Sequence, residues 1–380
     1  MNRRPNLLMV LLDGLRLEAL DAHPVFEELK RRGLFCGNMV TYAPYTTASM
    51  HALLTGIYGP RNGADSYFSA AKFRGDVCRT LAEYFRAAGY FTAVDINNRN
   101  TIPCQGYDRV TEYDEFAPEH RHKLFERHLR FWAEARDRRR PYLLSLHNLK
   151  THTELIQKFR EQYPGEKEAL YFADPSRNER EYRGYVREMG EYVKTLLDEL
   201  DRAGFFRDGR LVVFSDHGCS YGEQPGERMY GTYLHDATIR TFAYFMGPGF
   251  SPGARRDNLL RTVDLLPTLL EAGGMNPSPD ALEPDGCSFF REEPAGLWGF
   301  VETAPLGGPN PSPYAPNYHG VVSENRKLLY HSGRDAVECL ERTDGVWTPV
   351  PADSADAEES RARLCACSPR VNRKWLDKVS

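Results

Sequence analysis

The sequence predicts an α/β protein: a mostly parallel central sheet with helices on both faces, followed by a small C-terminal α+β subdomain. Three observations carry that expectation. Apolar runs of strand length, such as Pro5–Asp13 (PNLLMVLLD), lack polar alternation, as strands buried on both faces do. Segments of helical periodicity closed by glycine lie between them, which is the alternation of a parallel sheet. Beyond a proline-containing loop, the short pieces Gly299–Glu302, Gly320–Val322 and Lys327–Tyr330 read as a second, smaller sheet. That loop, Met275–Pro284, holds Pro277, Pro279 and Pro284, and it divides the expected domains: catalytic over 1–275, C-terminal over 276–380.

At 380 residues the chain can bury a large core. Charged residues make up 27% of it and the formal net charge is −4, so no basic excess points to nucleic acid or an anionic membrane. No stretch approaches the ~20 apolar residues of a membrane span. Arg3 and Arg4 precede an apolar run, but Asp13 and Arg16 interrupt it too early for a signal peptide. The eight cysteines are scattered and form no CxxC pair, so they read as reduced, mostly buried thiols of a cytoplasmic protein. Oligomeric state is not specified.

Taken in order, Pro5–Asp13 is a buried strand bounded by Pro5 and Gly14, and it delivers Asp13 at its carboxyl end, where open α/β sheets hold ligands. Pro24–Arg32 has helical spacing and ends at Gly33; Leu34–Tyr42 reads as extended. In Ala43–Gly56, Pro44 disfavours helix before it, and Thr46 or Thr47 can cap a helix that begins there. Either hydroxyl would also sit in the anion-friendly field of a helix N-terminus. A helix over Leu81–Ala88 and a strand over Tyr90–Val94 follow, then a loop over Asn97–Asp108 and a charged helix over Lys123–Arg140. The strand Pro141–Leu146 delivers His147, Lys150 and His152. Thr153–Glu181 is polar and poorly periodic, and it reads as a long excursion over the active face. Tyr182–Leu200 is a long helix, Leu211–Phe214 a strand feeding Ser215-Asp216-His217-Gly218, Thr241–Met246 a strand and Thr262–Ala272 a helix.

Asp13, Thr46, Asp216 and His217 thus follow or flank expected core strands. Two carboxylates, an imidazole and a hydroxyl suit a hard or borderline divalent cation, with Mn, Zn, Mg and Ca all compatible. Such an ion lowers the pKa of a coordinated hydroxyl and makes it a usable nucleophile.

The order of motifs resembles the sulfatase-like branch of the alkaline phosphatase superfamily. Ala43–Gly56 is similar to its nucleophile stretch, AP-x-C-x-PSR followed by two residues and LLTG, with Leu53-Leu54-Thr55-Gly56 in register and Thr46 at the nucleophile position. Ser215–Gly218 matches SDHG, and Leu234–Arg240 resembles LYDExIR. Gly247-Pro248-Gly249, Thr262–Leu270 and Asp285-Gly286 follow in the family's order. His147 and His152 resemble a paired-histidine stretch whose second member faces the substrate's anionic group. The resemblance implies one metal on Asp13, Thr46, Asp216 and His217, with Thr46 and His152 catalytic and His147, Lys150 and His235 candidates for binding substrate. His152 and His235 are also the candidates for a second metal.

Departures from the family pattern steer the chemistry. True sulfatases oxidise the nucleophile cysteine to formylglycine, and Thr46 cannot follow. Ala48 and Met50 replace the motif's proline and arginine, and Gly14 stands where a second aspartate often does. Threonine resembles the phosphodiesterases, phosphomutases and phosphoglycerol transferases of the superfamily. No Asp-x-x-x-His zinc motif lies in a matching place. The expected activity is hydrolysis of a small-molecule phosphate mono- or diester through a phosphothreonine intermediate. The alternatives are transfer of a phosphoryl-alcohol group to an acceptor, and a catalytically silent anion-binding member.

Overall fold

The computed structural model describes residues 4–351 and 355–371. Its larger sheet is built from β1 (Asn6–Leu12), β2 (Leu34–Val40), β3 (Phe91–Ile96), β4 (Arg109–Glu112), β5 (Tyr142–Asn148), β6 (Gly209–Phe214), β7 (Arg240–Met246), β8 (Arg255–Arg256) and β9 (Leu260–Arg261). The order is β4-β3-β5-β1-β6-β7-β2-β8, with β9 also pairing β2. From β4 to β6 every pairing is parallel, while β7 runs antiparallel between β6 and β2. The mostly parallel sheet expected from the apolar runs is present, and β1 is at its centre with all seven residues buried.

Two large apolar clusters cover the two faces of this sheet. Leu8, Val10 and Leu12 point to one, with the helices Val25–Arg32 and Pro175–Arg202; Leu7, Met9 and Leu11 point to the other, with the helices Thr46–Thr55 and Leu265–Ala272. A strand buried on both faces explains why no alternation was visible in PNLLMVLLD. The second sheet is antiparallel and runs in sequence order: β10 (Gly299–Thr303), β11 (Tyr318–Val322), β12 (Arg326–His331), β13 (Ala336–Thr343) and β14 (Val346–Val350). It packs with the helix Ala355–Cys367 against residues around Tyr42, Tyr45 and Tyr58.

Two expectations need correction. Thr153–Glu181, read as poorly periodic, is helical across Lys150–Gln162, Gly165–Lys167 and Glu168–Ala173, and Pro175 already opens the long helix. Its buried face includes Thr151, Thr153 and Lys158, which hides the helical period from a hydrophobicity reading. Lys158 is buried because its ammonium meets Asn178 Oδ1 at 3.1 Å and pairs with Glu181. Second, neither threonine caps the helix that starts at Thr46: Tyr45 holds the N-cap position and supplies no side-chain hydrogen bond. All eight cysteines are free thiols; Cys36, Cys78, Cys219 and Cys339 are buried and the other four are partly exposed.

Candidate active site

Strand register assembles the site. Leu11 pairs with Phe214 across β1 and β6, so Asp13 and Asp216, each two residues further on, emerge side by side. On the other flank Leu11 pairs with His147 of β5 and Leu12 with Asn148. Three neighbouring parallel strands therefore present their polar residues at one carboxyl edge. Gly14 turns the chain away at φ 63°, a left-handed conformation that favours glycine. There its N–H donates to Asp216 Oδ1 (3.1 Å) while its carbonyl accepts from the Tyr182 hydroxyl (2.6 Å).

Thr46 opens the helix Thr46–Thr55, whose first-turn N–H groups have no intrahelical acceptor. Its hydroxyl donates to Asp13 Oδ2 at 3.1 Å and lies 3.4 Å from His217 Nε2. The His147 Nε2–H donates to the same Asp13 oxygen at 2.8 Å. His217 gives its Nδ1–H to the Gly218 carbonyl (2.8 Å), which leaves the Nε2 lone pair facing the site. Ser49 Oγ donates to the Asp216 carbonyl (3.1 Å), and Thr151 Oγ1 donates to that of Asp13. Every group just named is buried, with Asp13 at 1% and Asp216 and His217 at 0% exposure.

Three ligand-capable atoms of this cluster converge. Asp13 Oδ1 and Asp216 Oδ2 are buried without a hydrogen bond, and His217 Nε2 stands 3.5 Å from Asp216 Oδ2. Asp13, Asp216 and His217 can each offer an atom within 4.8 Å of the others', and they form the one such group among the described residues. Burial works against the charge on Asp13, but His152, His147 and His217 hold its carboxyl well below the usual carboxylate range. Asp216 is pushed up, by burial first and then by the negative charge of Asp13. Orphaned carboxylate oxygens converging with an imidazole nitrogen fit a divalent cation, which would offset both penalties.

The expected residues do not all join. His152 lies at the edge: its Nδ1 is 3.6 Å from Asp13 Oδ1 and shares a 2.7 Å hydrogen bond with the Tyr230 hydroxyl, and its Nε2 is 3.6 Å from Glu115 Oε2. Lys150 turns its ammonium to Glu154 (3.0 Å) and Glu188 (2.6 Å). His235 packs its ring on Tyr233 with centroids 5.3 Å apart. Burial, then Lys327, hold its pKa down at about 4. Neither Lys150 nor His235 is brought to Thr46.

Folding adds Tyr230, Glu115, Thr151 and Ser49. Ser49 keeps the serine of the nucleophile motif, and that match could have found it. Tyr230, whose ring centroid lies 4.6 Å from that of His217, and Glu115 carry no local signal.

A family model described as Sulfatase matches residues 5–275. The chain belongs to the sulfatase family. No curated protein matches the sequence. Among solved structures the chain is similar to BT4656, determined with its substrate D-glucosamine-2-N,6-O-disulfate: 14% identity, 99% of each chain covered, TM-score 0.70. It is similar to the phosphonate monoester hydrolase SpPMH from Silicibacter pomeroyi, at 17% identity over 98% of this chain and 95% of that one, TM-score 0.68. A protein of the alkaline phosphatase superfamily from Vibrio parahaemolyticus matches at 14% identity over 100% and 89%, TM-score 0.67. At these identities the likeness is one of fold, and this sulfatase family member shares both its α/β sheet and its C-terminal antiparallel sheet with them.

Proposed function

We propose that the protein is a metal-dependent hydrolase of small phosphate mono- or diesters, with Thr46 as nucleophile. The observation that carries this reading is the Thr46 hydroxyl, 3.1 Å from Asp13 Oδ2 and 3.4 Å from His217 Nε2, beside the atoms suited to hold a cation. A divalent ion bound by Asp13, Asp216 and His217 would lower the pKa of the hydroxyl and draw charge off a non-bridging oxygen. The Thr46 proton would leave to solvent, because Asp13, whose carboxyl is held well below the usual carboxylate range, serves as a hydrogen-bond acceptor and ligand and is too weak a base to keep it. Thr46 Oγ1 then bonds to phosphorus as the P–O bond to the alcohol breaks, and His152 gives the departing oxygen its proton. In a second displacement water bonds to phosphorus and gives its proton to the now neutral His152 as the P–O bond to Thr46 Oγ1 breaks. Oγ1 regains a proton from solvent, and phosphate, or a phosphate monoester where the substrate is a diester, is freed. His147 keeps Asp13 oriented throughout through its Nε2–H.

Threonine is what favours phosphorus. It carries one hydroxyl on Cβ and no carbonyl hydrate, so the enzyme ester must be broken by displacement at the transferred centre. A second reading, hydrolysis of sulfate esters, is favoured by the family model and by a neighbour solved with a sulfated sugar.

A panel of matched phosphate mono- and diesters, phosphonate esters and sulfate esters separates the two. Each is tested on protein stripped by chelator and on protein reloaded with Mn, Zn, Mg or Ca. Phosphate-ester turnover that vanishes on stripping and returns with a divalent ion is expected. Dominant sulfate turnover, or turnover indifferent to metal, overturns the proposal.

A further inference from the structure

We propose that the alcohol half of the substrate is a bulky apolar group, and that it occupies the cleft beginning at His152 and Tyr230; this rests on the ester chemistry above. The cleft has a volume of about 580 Å³, within the range of pockets that hold drug-sized ligands and far more than one tetrahedral anion fills. It borders the reacting centre through His152 and Tyr230. Tyr230 lines the cleft while its ring lies 4.6 Å from that of His217 and 5.9 Å from that of His152. On the opposite side Tyr67 lines it and stacks at 4.0 Å on Tyr45, the residue before Thr46. Phe159 and Tyr163, with ring centroids 5.5 Å apart, extend the aromatic wall outward.

The mouth is apolar as well, which is unusual for exposed surface. Six large hydrophobic side chains are exposed among the described residues: Phe68, Phe116, Leu170, Leu306, Tyr314 and Val346. One of them lines this cleft, and four more connect to its lining residues directly or through one neighbour. Leu306 lines it, Phe68 follows Tyr67 and packs on Tyr314, and Leu170 shares a short helix with the lining residue Glu168. Phe116 lies 5.0 Å under the guanidinium of Arg160, another lining residue. The two arginines of the cleft are part of its walls: Arg228 lies 5.7 Å over Phe159 and pairs with Glu168 at 3.5 Å. Scattered apolar residues on a surface mean little, but apolar residues gathered around a cavity that borders a candidate site mark what enters it.

The test uses the full chain reloaded with Mn and measures binding by calorimetry, without turnover. The probes are unreactive n-alkylphosphonates from methyl to octyl, phenyl- and naphthylphosphonate, and the same series as sulfonates. Affinity should rise about two- to fourfold per added methylene until the cleft is filled. Aryl probes binding more tightly than alkyl probes of equal carbon count assign an aromatic alcohol; the reverse assigns a long-chain one. Phe159→Ala should flatten the chain-length slope, and Leu306→Ser, at an exposed position that the fold does not depend on, should flatten its far end. An affinity independent of chain length in both series overturns the inference. Sulfonates binding with a steep slope while phosphonates do not bind would sink the phosphate reading and keep this one.

Discussion

Two of the buried clusters of carboxylate, imidazole and hydroxyl among the described residues are built to opposite ends. At the carboxyl edge of the parallel sheet, Asp13, Asp216, His147, His217 and Thr46 leave two carboxylate oxygens without a hydrogen bond. Under the antiparallel sheet, Glu302 has both oxygens satisfied. Tyr42 donates to Oε2 at 2.6 Å; the His319 Nδ1 (2.6 Å) and Ser368 (3.2 Å) share Oε1. The one orphan of that cluster is His319 Nε2. By composition either could pass for an active site. What separates them is unspent coordination capacity: one cluster has oxygens still to be used by a ligand, and the other has consumed its own to tie β10, β11 and the segment after Cys367 to Tyr42.

The sharpest way to break this comparison is to remove one hydroxyl from the first cluster. Thr46→Ala should lower kcat by at least about 10⁴-fold while the melting temperature and the metal content stay those of the parent protein. Because the hydroxyl is a donor to an oxygen that His147 also serves, its loss leaves Asp13 Oδ2 hydrogen-bonded. Turnover near the parent level would remove Thr46 from the mechanism.

The mirror experiment is Glu302→Ala. It strands His319, Tyr42 and Ser368, all buried, so denaturant unfolding should show a loss of about 3–5 kcal/mol. The surviving folded fraction should keep its activity per molecule. A stable variant with lost turnover would make the second cluster functional and dissolve the distinction.

How much of this was visible in the sequence follows from where each side chain is positioned from. Asp13, Asp216 and His217 sit just past apolar runs, and strand register alone then brings them together, so a local pattern sufficed. His152 and Thr46 were found through motif spacing. Tyr230 and Glu115 come from segments with no apolar period of their own, and only folding brings them to His152. Lys150 and His235 show the converse: a plausible residue beside a motif is spent elsewhere, on Glu154 and Glu188 in one case and against Tyr233 in the other. The helix Lys150–Gln162 escaped notice because its buried face carries threonines and an ion-paired lysine, and hydrophobic periodicity cannot register a polar face that is nevertheless buried.

Metal linkage gives a smaller, reversible effect on the first cluster alone. A saturating divalent ion at about 100 times its Kd should stabilise the parent protein by about 2.7 kcal/mol. Asp216→Asn should abolish most of that increment. In chelator the same variant should be no less stable than the parent, because it removes a charge that burial first, and then Asp13, push toward protonation. An Asp216→Asn protein that metal stabilises as strongly as the parent would place the ion elsewhere.

The smallest effect sharpens the comparison at a third acid, Glu227, which is fully buried in the loop that leads to Tyr230. Its oxygens are satisfied like those of Glu302, but by backbone: Thr232 N–H donates to Oε1 (3.0 Å) and Tyr233 N–H to Oε2 (2.7 Å). Burial nevertheless outweighs these donors and raises its pKa from 4.5 to about 7. A carboxyl whose folded pKa lies above its unfolded one binds its proton more tightly when folded. Its contribution to stability is therefore fully present below pH 4.5 and lost as pH climbs to about 7. Measured against Glu227→Gln, which cannot titrate, the parent should lose on the order of 1–3 kcal/mol between pH 5 and pH 8. A flat difference across that window would show that two backbone N–H groups suffice to keep a buried glutamate ionised. In that event satisfied lone pairs, and not burial, set the charge of an acid in this fold, and the contrast between Glu302 and the Asp13–Asp216 pair rests on that alone.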